Sequence, residues 1–174
     1  MSLHSFLRIG GERVADLDFS GMFPRLAALE IGEDIGQRDP YAVPGFEAHR
    51  AGIKRTVAAF FWDPDGRRTK LPKGVRELLP PGTTFRVVNA AIRAHLRELE
   101  AAFGFGIGGR LQWREGMIII AAIEELMSQG IVGLNMFDGL MVPASRVLEA
   151  ARAMGDASER IVGARLPVTV ADAA

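Results

Sequence analysis

The stretch that most constrains the fold is residues 14–25, which read VADLDFSGMFPR. Apolar side chains mix with acids at Asp16 and Asp18, the run stops at Ser20-Gly21, and a helical pattern follows. This sequence predicts a β-strand that passes directly into a helix. Asp18 then lies at the end of a largely buried strand, where a carboxylate needs a metal, a cation or strong hydrogen-bond donors. The alternative needs no function, because Asp18 and Ser20 can simply cap a helix that begins near Met22.

The same residues resemble the first palm motif of family A DNA polymerases, which runs Asp-Tyr-Ser-Gln-Ile-Glu-Leu-Arg. Asp18, Ser20 and Arg25 stand in its register. The resemblance implies that Asp18 is catalytic and binds two Mg²⁺ ions, with the backbone carbonyl of Phe19 completing the metal shell. It also implies nucleotide-binding positions at Arg25 and Phe23. Phe23 replaces the glutamate that helps the family to exclude ribonucleotides, so the choice of sugar is left open.

The composition excludes several classes of protein and of metal site. The chain has 174 residues, 48% of them hydrophobic, which indicates a globular protein, and we expect one domain over residues 1–174. No apolar run is long enough to span a membrane, and the first residues lack a signal-peptide pattern. Cysteine is absent, which excludes disulfides and thiolate metal sites and fits a cytoplasmic protein. His4, His49 and His95 lie too far apart in sequence to suggest a zinc site.

Charge is distributed unevenly although the formal net charge is zero, a poor composition for tight binding of nucleic acid. Residues 50–76 carry a net charge of +6, and residues 115–174 carry −4. A basic segment beside an acidic remainder suits a protein that holds phosphates over a carboxylate–metal site. It suits an ordinary solvated loop equally well.

A helix is predicted over residues 47–62, with Arg50 and Lys54 four residues apart and therefore on one side. Two such cations can bind a triphosphate, or they can extend to water at the edge of the core. Their spacing resembles the fingers helix of single-subunit polymerases, in which an Arg and a Lys bind the phosphates of the incoming nucleotide. The resemblance implies catalytic and nucleotide-binding roles for Lys54, nucleotide binding by Arg50, and contact of Trp62 with the base pair.

A second acid, Asp138, precedes Gly139 between two apolar segments, and this pattern predicts a tight hairpin turn at Asp138-Gly139. Turn chemistry alone can explain both residues. The segment MFDGLMV also resembles the third palm motif, His-Asp-Glu or His-Asp-Ser-Phe. That resemblance implies that Asp138 is a catalytic metal ligand, although Phe137 replaces the His and Gly139 replaces the following acid or Ser.

Further elements follow from periodicity and turn residues. We expect a hairpin around Gly10-Gly11, a helix from Thr83 or Thr84 to Ala102, and a last strand over residues 166–170. Residues 104–109 match G-x-G-x-x-G literally, but a helix precedes them, so we interpret them as a flexible turn and reject a dinucleotide site. Residues 117–123 are apolar all round, so the helix over residues 111–129 is expected at the centre of the core.

The predicted fold class is α+β, a small antiparallel palm-like sheet packed on helices, with a basic fingers-like insertion over about residues 45–82. The order of elements over roughly residues 8–171 resembles that of the polymerase palm, and also uncharacterised bacterial and prophage proteins with similar motifs. It implies template-directed DNA synthesis with two Mg²⁺ ions, nucleic-acid primer-template and nucleoside triphosphate partners, and no membrane. A protein partner would supply thumb-like elements, since thumb and exonuclease regions are missing and the chain is expected to be a fragment or a reduced member. The alternative is a catalytically degenerate palm that binds nucleic acid or a partner.

Overall fold

The computed structural model describes residues 6–171 of the chain. Over this range it contains an antiparallel sheet of five strands together with five α-helices, so the predicted α+β class is confirmed. The strands are β1 (Arg8–Ile9), β2 (Glu12–Phe19), β3 (Leu134–Met136), β4 (Gly139–Pro143) and β5 (Val168–Ala171). The helices are α1 (Met22–Glu30), α2 (Arg50–Trp62), α3 (Phe85–His95), α4 (Gly108–Ser128) and α5 (Val147–Val162).

Strand β2 is central because it pairs antiparallel with β4 on one side and with β1 and β5 on the other. The predicted hairpin at its start is confirmed. Ile9 pairs with Glu12, and the two turn residues, Gly10 and Gly11, both have positive φ, which glycine adopts without strain. At its other end β2 passes through Ser20-Gly21 into α1, as the sequence predicts.

Within the described residues the chain divides into two compact units, of which the first comprises residues 6–22 and 113–171 and the second residues 23–112. In the first unit, α5 packs on β2, β4 and β5. Its buried residues are mostly small and recur at helical spacing, as Ala150, Ala153 and Ala157 do, which lets the helix lie close to the sheet. Residues 45–82 fall within the second unit. The prediction of one domain over residues 1–174 stays a prediction.

Two helices differ from their predicted bounds. The helix expected to reach Ala102 ends at His95, and a 3₁₀ segment over Arg97–Ala102 follows it, with Leu96 and Leu99 fully buried. Its predicted N-cap is confirmed, because the Thr84 hydroxyl accepts a hydrogen bond from the Val87 amide. Helix α4 begins at Gly108, inside the glycine-rich segment that was predicted to be a turn.

The prediction that α4 is apolar all round and central to the core is wrong on one face. Ile118, Ile119 and Ala122 are buried, whereas Met117 and Ile120 are exposed. The error arises because apolar residues on every side of a helix predict burial only if other elements cover every side. Among the described residues, no helix is both long enough and apolar enough to cross a membrane.

Candidate functional site

Asp18 lies in the central strand, close to the end at which the chain turns into α1. It pairs with Gly139 of β4 on one side and with Thr169 of β5 on the other, and its side chain is half-buried. The Phe19 amide donates a hydrogen bond to the Asp138 carbonyl at 3.3 Å. The backbones of the two predicted metal ligands are therefore adjacent, and sheet geometry places their α-carbons within about 9 Å of each other.

The hairpin that carries Asp138 turns one residue earlier than predicted. Met136 pairs with Gly139, so the two turn residues are Phe137 and Asp138, while Gly139 is the first residue of β4. The prediction of a turn at Asp138-Gly139 is therefore wrong. The sequence could not reveal this because glycine after aspartate usually marks the turn itself, whereas here the sheet requires the glycine.

Gly139 is required by close approach of two strands. A Cβ atom at this position would lie 2.2 Å from the Leu17 carbonyl oxygen and 3.2 Å from the Asp18 α-carbon. Both atoms belong to backbone that is paired on its other side with β5, so neither can move away without breaking a second strand pair. The family residues at this position, an acid or Ser, do not fit this hairpin.

Phe137 adopts a backbone conformation that is costly for its residue type. Its φ is +56°, the only positive value of a non-glycine residue between residues 6 and 171, and its side chain is 85% exposed. Such a conformation costs on the order of 1–3 kcal/mol. The aromatic ring is thus exposed to solvent at the tip of the hairpin, next in sequence to Asp138.

A third carboxylate, Asp16, shares the face of β2 that carries Asp18, because side chains two residues apart point to the same side of a strand. It is half-buried and pairs with Met141. Asp16 is not among the site residues that the motifs predict. Its spacing of two from Asp18 is the signal that could have identified it.

The chemistry of this region fits a hard divalent cation. Mg²⁺ prefers oxygen ligands, and it is usually held by one or two carboxylates together with substrate phosphates. Asp18 and Asp138 bring two carboxylate-bearing residues to one end of the sheet, next to the backbone of Phe19. Across residues 6–171 there is no group of three or more His, Cys, Asp or Glu residues arranged to hold a metal ion by itself. Substrate oxygens would therefore complete the coordination.

Arg25 is buried and organises a loop in the second unit. One guanidinium nitrogen donates to the Gly36 carbonyl at 2.5 Å, and the other donates to the Arg38 carbonyl at 3.0 Å. Burial lowers the pKa of the Arg25 guanidinium, although Asp34, Asp39 and Tyr41 act in the opposite direction. The side chain therefore holds the start of the segment that presents Asp39.

We expect Arg25→Met to destabilise the protein by about 2 kcal/mol, because the substitution keeps the length of the side chain but removes two charged hydrogen bonds to backbone carbonyls. Urea unfolding followed by circular dichroism measures this change. Arg76→Met, at an exposed position, is the matched control and should change stability by less than about 0.5 kcal/mol. Equal effects of the two substitutions would contradict a structural role for Arg25.

Arg50 lies in the first turn of α2 and is engaged by an acid. Its Nε and Nη2 donate to the two carboxylate oxygens of Asp39 at 2.7 and 3.1 Å, and its guanidinium lies 5.0 Å from the centre of the Tyr41 ring. Burial acts to raise the pKa of the Asp39 carboxyl, but hydrogen bonds from Arg50 and from the Tyr41 amide outweigh it and lower that pKa. The sequence does not identify Asp39 as a partner of Arg50, since the partner of a surface arginine cannot be read from spacing.

The remaining predicted nucleotide-binding residues also lie in the second unit. Lys54 is exposed one turn after Arg50 on α2, and Phe23 is half-buried in the first turn of α1. Trp62 ends α2 with half of its surface exposed, and its indole lies against Gly108, where a Cβ atom would come within 2.5 Å of the ring. This close contact explains why glycine stands at the start of α4.

Comparisons with known proteins add little to what the sequence motifs indicate about family and function. No family model matches the chain, and no curated protein matches it. Among solved structures, the chain is similar to the POL domain of Pol1 from M. smegmatis, determined in complex with DNA primer-template and dNTP. The similarity covers 96% of this chain and 40% of that chain, with 14% sequence identity and a TM-score of 0.45. At these values the similarity is too low to establish a shared fold or activity.

Proposed function

We propose that this protein is a palm-type nucleotidyltransferase that carries out template-directed DNA synthesis, with Asp18 and Asp138 as its metal-binding carboxylates. The observation that carries this proposal is the register of β2 and β4, which brings the backbone of Asp18 beside that of Asp138. The resemblance of both segments to palm motifs supports the same assignment. Convergence of the two carboxylates to within about 6 Å remains a prediction of this proposal.

In this proposal the chain holds two Mg²⁺ ions through Asp18, Asp138 and the carbonyl of Phe19. When bound, such ions activate a 3′-hydroxyl and stabilise the leaving pyrophosphate. The chain's own contribution is to fix the oxygen ligands. Asp18 is held by strand pairing on both sides, and Asp138 is held by a turn whose neighbouring residues are locked in the sheet. A site built on paired strands keeps its ligands in place more accurately than one built on a loop.

Arg50 and Lys54 are proposed to bind the triphosphate, and Phe23, Arg25 and Trp62 to belong to the nucleotide-binding region. Lys54 presents its ammonium group from an exposed helical position, and such a group can neutralise charge that develops on phosphate. Arg25 would contribute by holding the loop, since its guanidinium already donates to two carbonyls. Primer-template nucleic acid is the other partner, and a protein partner would supply thumb-like elements in the cytoplasm.

Asp39→Asn should strengthen triphosphate binding by up to about fivefold. The Asp39 carboxylate occupies the guanidinium fork of Arg50 that a phosphate would use, and an exposed pair of this kind is worth about 0.2–1 kcal/mol. Asparagine retains the side-chain oxygen that accepts a hydrogen bond from the Tyr41 amide, so the loop should keep its conformation. Fluorescence titration with a labelled nucleoside triphosphate measures the affinity.

The control for this prediction is the same substitution in an Arg50→Ala background. There Asp39→Asn should bring no gain, because no guanidinium is released. An equal gain in both backgrounds would show that the removed charge acts on the ligand from a distance, and Arg50 would not be a phosphate-binding residue.

A second candidate function is a catalytically degenerate palm that binds nucleic acid or a protein partner. The geometry at Gly139 favours it specifically, because this position cannot accept the acid or Ser of the polymerase motif, and Phe137 stands where that motif has His. A hairpin with one carboxylate rather than two neighbouring polar groups has fewer ligands for a metal and its substrate.

Primer extension separates the two functions. The nucleotidyltransferase proposal expects Mg²⁺-dependent extension of a primer-template by the wild-type chain, and Mg²⁺-dependent binding of a nucleoside triphosphate. Binding of primer-template measured by fluorescence anisotropy, without extension at any Mg²⁺ or Mn²⁺ concentration, would favour the degenerate palm. Absence of extension, metal-dependent nucleotide binding and nucleic-acid binding would contradict the nucleotidyltransferase and would leave the degenerate palm only its protein partner.

A further inference from the structure

Helix α4 exposes a line of large apolar side chains within the first unit. This apolar stripe consists of Trp113, Met117, Ile120 and Met127, whose exposed fractions range from 37% to 67%. Glu124 stands between the last two members. The spacing along Trp113, Met117, Ile120, Glu124 and Met127 alternates four and three residues, the heptad spacing that forms the seam of a coiled coil. Single exposed apolar residues are ordinary, but several that share one heptad register on an exposed helix face favour a partner helix.

Gly116 gives an independent reason to expect a partner on this side of α4. It lies inside the helix next to Met117, and a Cβ atom there would have no described atom of the chain within 4 Å. Glycine in the interior of a helix costs roughly 1 kcal/mol relative to alanine. Packing within the chain therefore does not explain Gly116, whereas a small residue beside the seam would let a second helix approach closely.

We propose that the occupant of the apolar stripe is α4 of a second copy of this chain, packed antiparallel about a two-fold axis. In one antiparallel register, Met117 lies opposite Ile120 of the second copy, and the same register places Trp113 opposite Glu124. In the heptad, Met117 and Glu124 are a positions, whereas Trp113 and Ile120 are d positions. Each facing pair therefore joins an a position to a d position, as antiparallel coiled coils require. The two-fold axis repeats each layer with the copies exchanged, which closes the interface at two chains.

The layer of Trp113 and Glu124 explains why an acid interrupts an apolar seam. The indole N–H is a hydrogen-bond donor without an acceptor function, and a carboxylate is an acceptor. In the antiparallel register, Trp113 of each copy meets Glu124 of the other copy, once at each end of the helix–helix contact. A parallel register would place Glu124 against Glu124 of the second copy, and like charges in contact are unfavourable. The match of the indole donor with the carboxylate acceptor, and the avoidance of a Glu124–Glu124 contact, therefore favour the antiparallel arrangement.

The association is tested first by sedimentation velocity of the full chain over a range of concentrations. Wild type should form a dimer, and Ile120→Asp should weaken it more than about tenfold, because the substitution places a charge at the centre of the seam. Met117→Asp, which places a charge opposite Ile120 of the second copy, provides a second variant with the same expected direction. Leu148→Asp is the matched control, since Leu148 is an exposed apolar residue of α5 outside the stripe, and it should leave the dimer intact.

Orientation is tested by disulfide formation, for which the absence of native cysteine is convenient. Mixed Trp113→Cys and Glu124→Cys chains should cross-link to each other under mild oxidation. Glu124→Cys alone should not, because eleven residues of helix separate the two layers by about 16 Å, beyond the span of a disulfide.

Three results would overturn the proposal. These are a monomer at every concentration, a dimer unaffected by Ile120→Asp and Met117→Asp, and ready cross-linking of Glu124→Cys to itself. If wild type is a monomer and Ile120→Asp weakens nucleic-acid binding instead, the stripe has another occupant and the second copy is excluded. These outcomes do not depend on the metal site, since Asp18 and Asp138 take no part in the stripe.

Discussion

Replacing Gly139 by alanine should destabilise the protein by about 3 kcal/mol, the upper part of the range for overpacked positions. The added Cβ atom would lie 2.2 Å from the Leu17 carbonyl oxygen, and real Cβ atoms do not approach another atom that closely. Because β2 is paired with β5 on its other side, relief of the clash must separate β2 from β4 at Asp18. If Asp18 and Asp138 bind metal as proposed, we expect that binding to be lost together with the stability.

Urea unfolding monitored by circular dichroism measures the stability of Gly139→Ala. The matched control is Gly109→Ala, since a Cβ atom at Gly109 meets no described atom within 4 Å and the residue lies in the first turn of α4. That substitution should leave the protein equally stable or more stable by up to about 1 kcal/mol. A Gly139→Ala variant as stable as wild type would mean that β2 and β4 are not held at this distance.

Much of the fold could be predicted because its signals are local. Glycines at Gly10-Gly11 identify the first hairpin, Ser20-Gly21 ends β2, and Thr84 caps α3, in each case through the conformation or hydrogen bond that the residue supplies. The exposed face of α4 and the early end of α3 could not be predicted. Both depend on which neighbouring elements cover a helix, and this information is spread over distant parts of the chain.

The candidate site likewise contains features that could be predicted from the sequence and features that could not. Asp18 and Asp138 could be selected because motif resemblance and strand ends point to them, and the register then brings their backbones together. The position of the turn at Phe137 could not be predicted, because it follows from the distance between β2 and β4 at Gly139 rather than from turn preferences. Asp39 could not be assigned to Arg50 for a similar reason, since their pairing is tertiary.

Asp138→Asn should reduce Mg²⁺-dependent primer extension by more than about 100-fold while changing stability by less than about 0.5 kcal/mol. The substitution removes the charge that would hold the metal in the proposed site but preserves the shape of the side chain. Asn and Asp are favoured in turns for the same reason, their short polar side chains, so the turn at Phe137-Asp138 should keep its conformation when the acid becomes an amide. Catalysis and folding therefore separate at this residue. Steady-state extension rates and thermal unfolding measure the two effects.

Asp65→Asn is the matched control for Asp138→Asn. Asp65 is an exposed turn residue of the second unit whose carboxylate accepts a hydrogen bond from the Arg67 amide, so its replacement removes the same charge from a comparable turn. It should leave extension unchanged. If Asp138→Asn extends primers and binds Mg²⁺ as wild type does, Asp138 is a turn residue only, and the two-metal assignment is falsified. If both substitutions reduce extension equally, net charge rather than metal binding is responsible. A shared metal site requires the same loss of extension in Asp138→Asn and in Asp18→Asn, and no loss in Asp65→Asn. Neither carboxylate alone would then hold the metal ions.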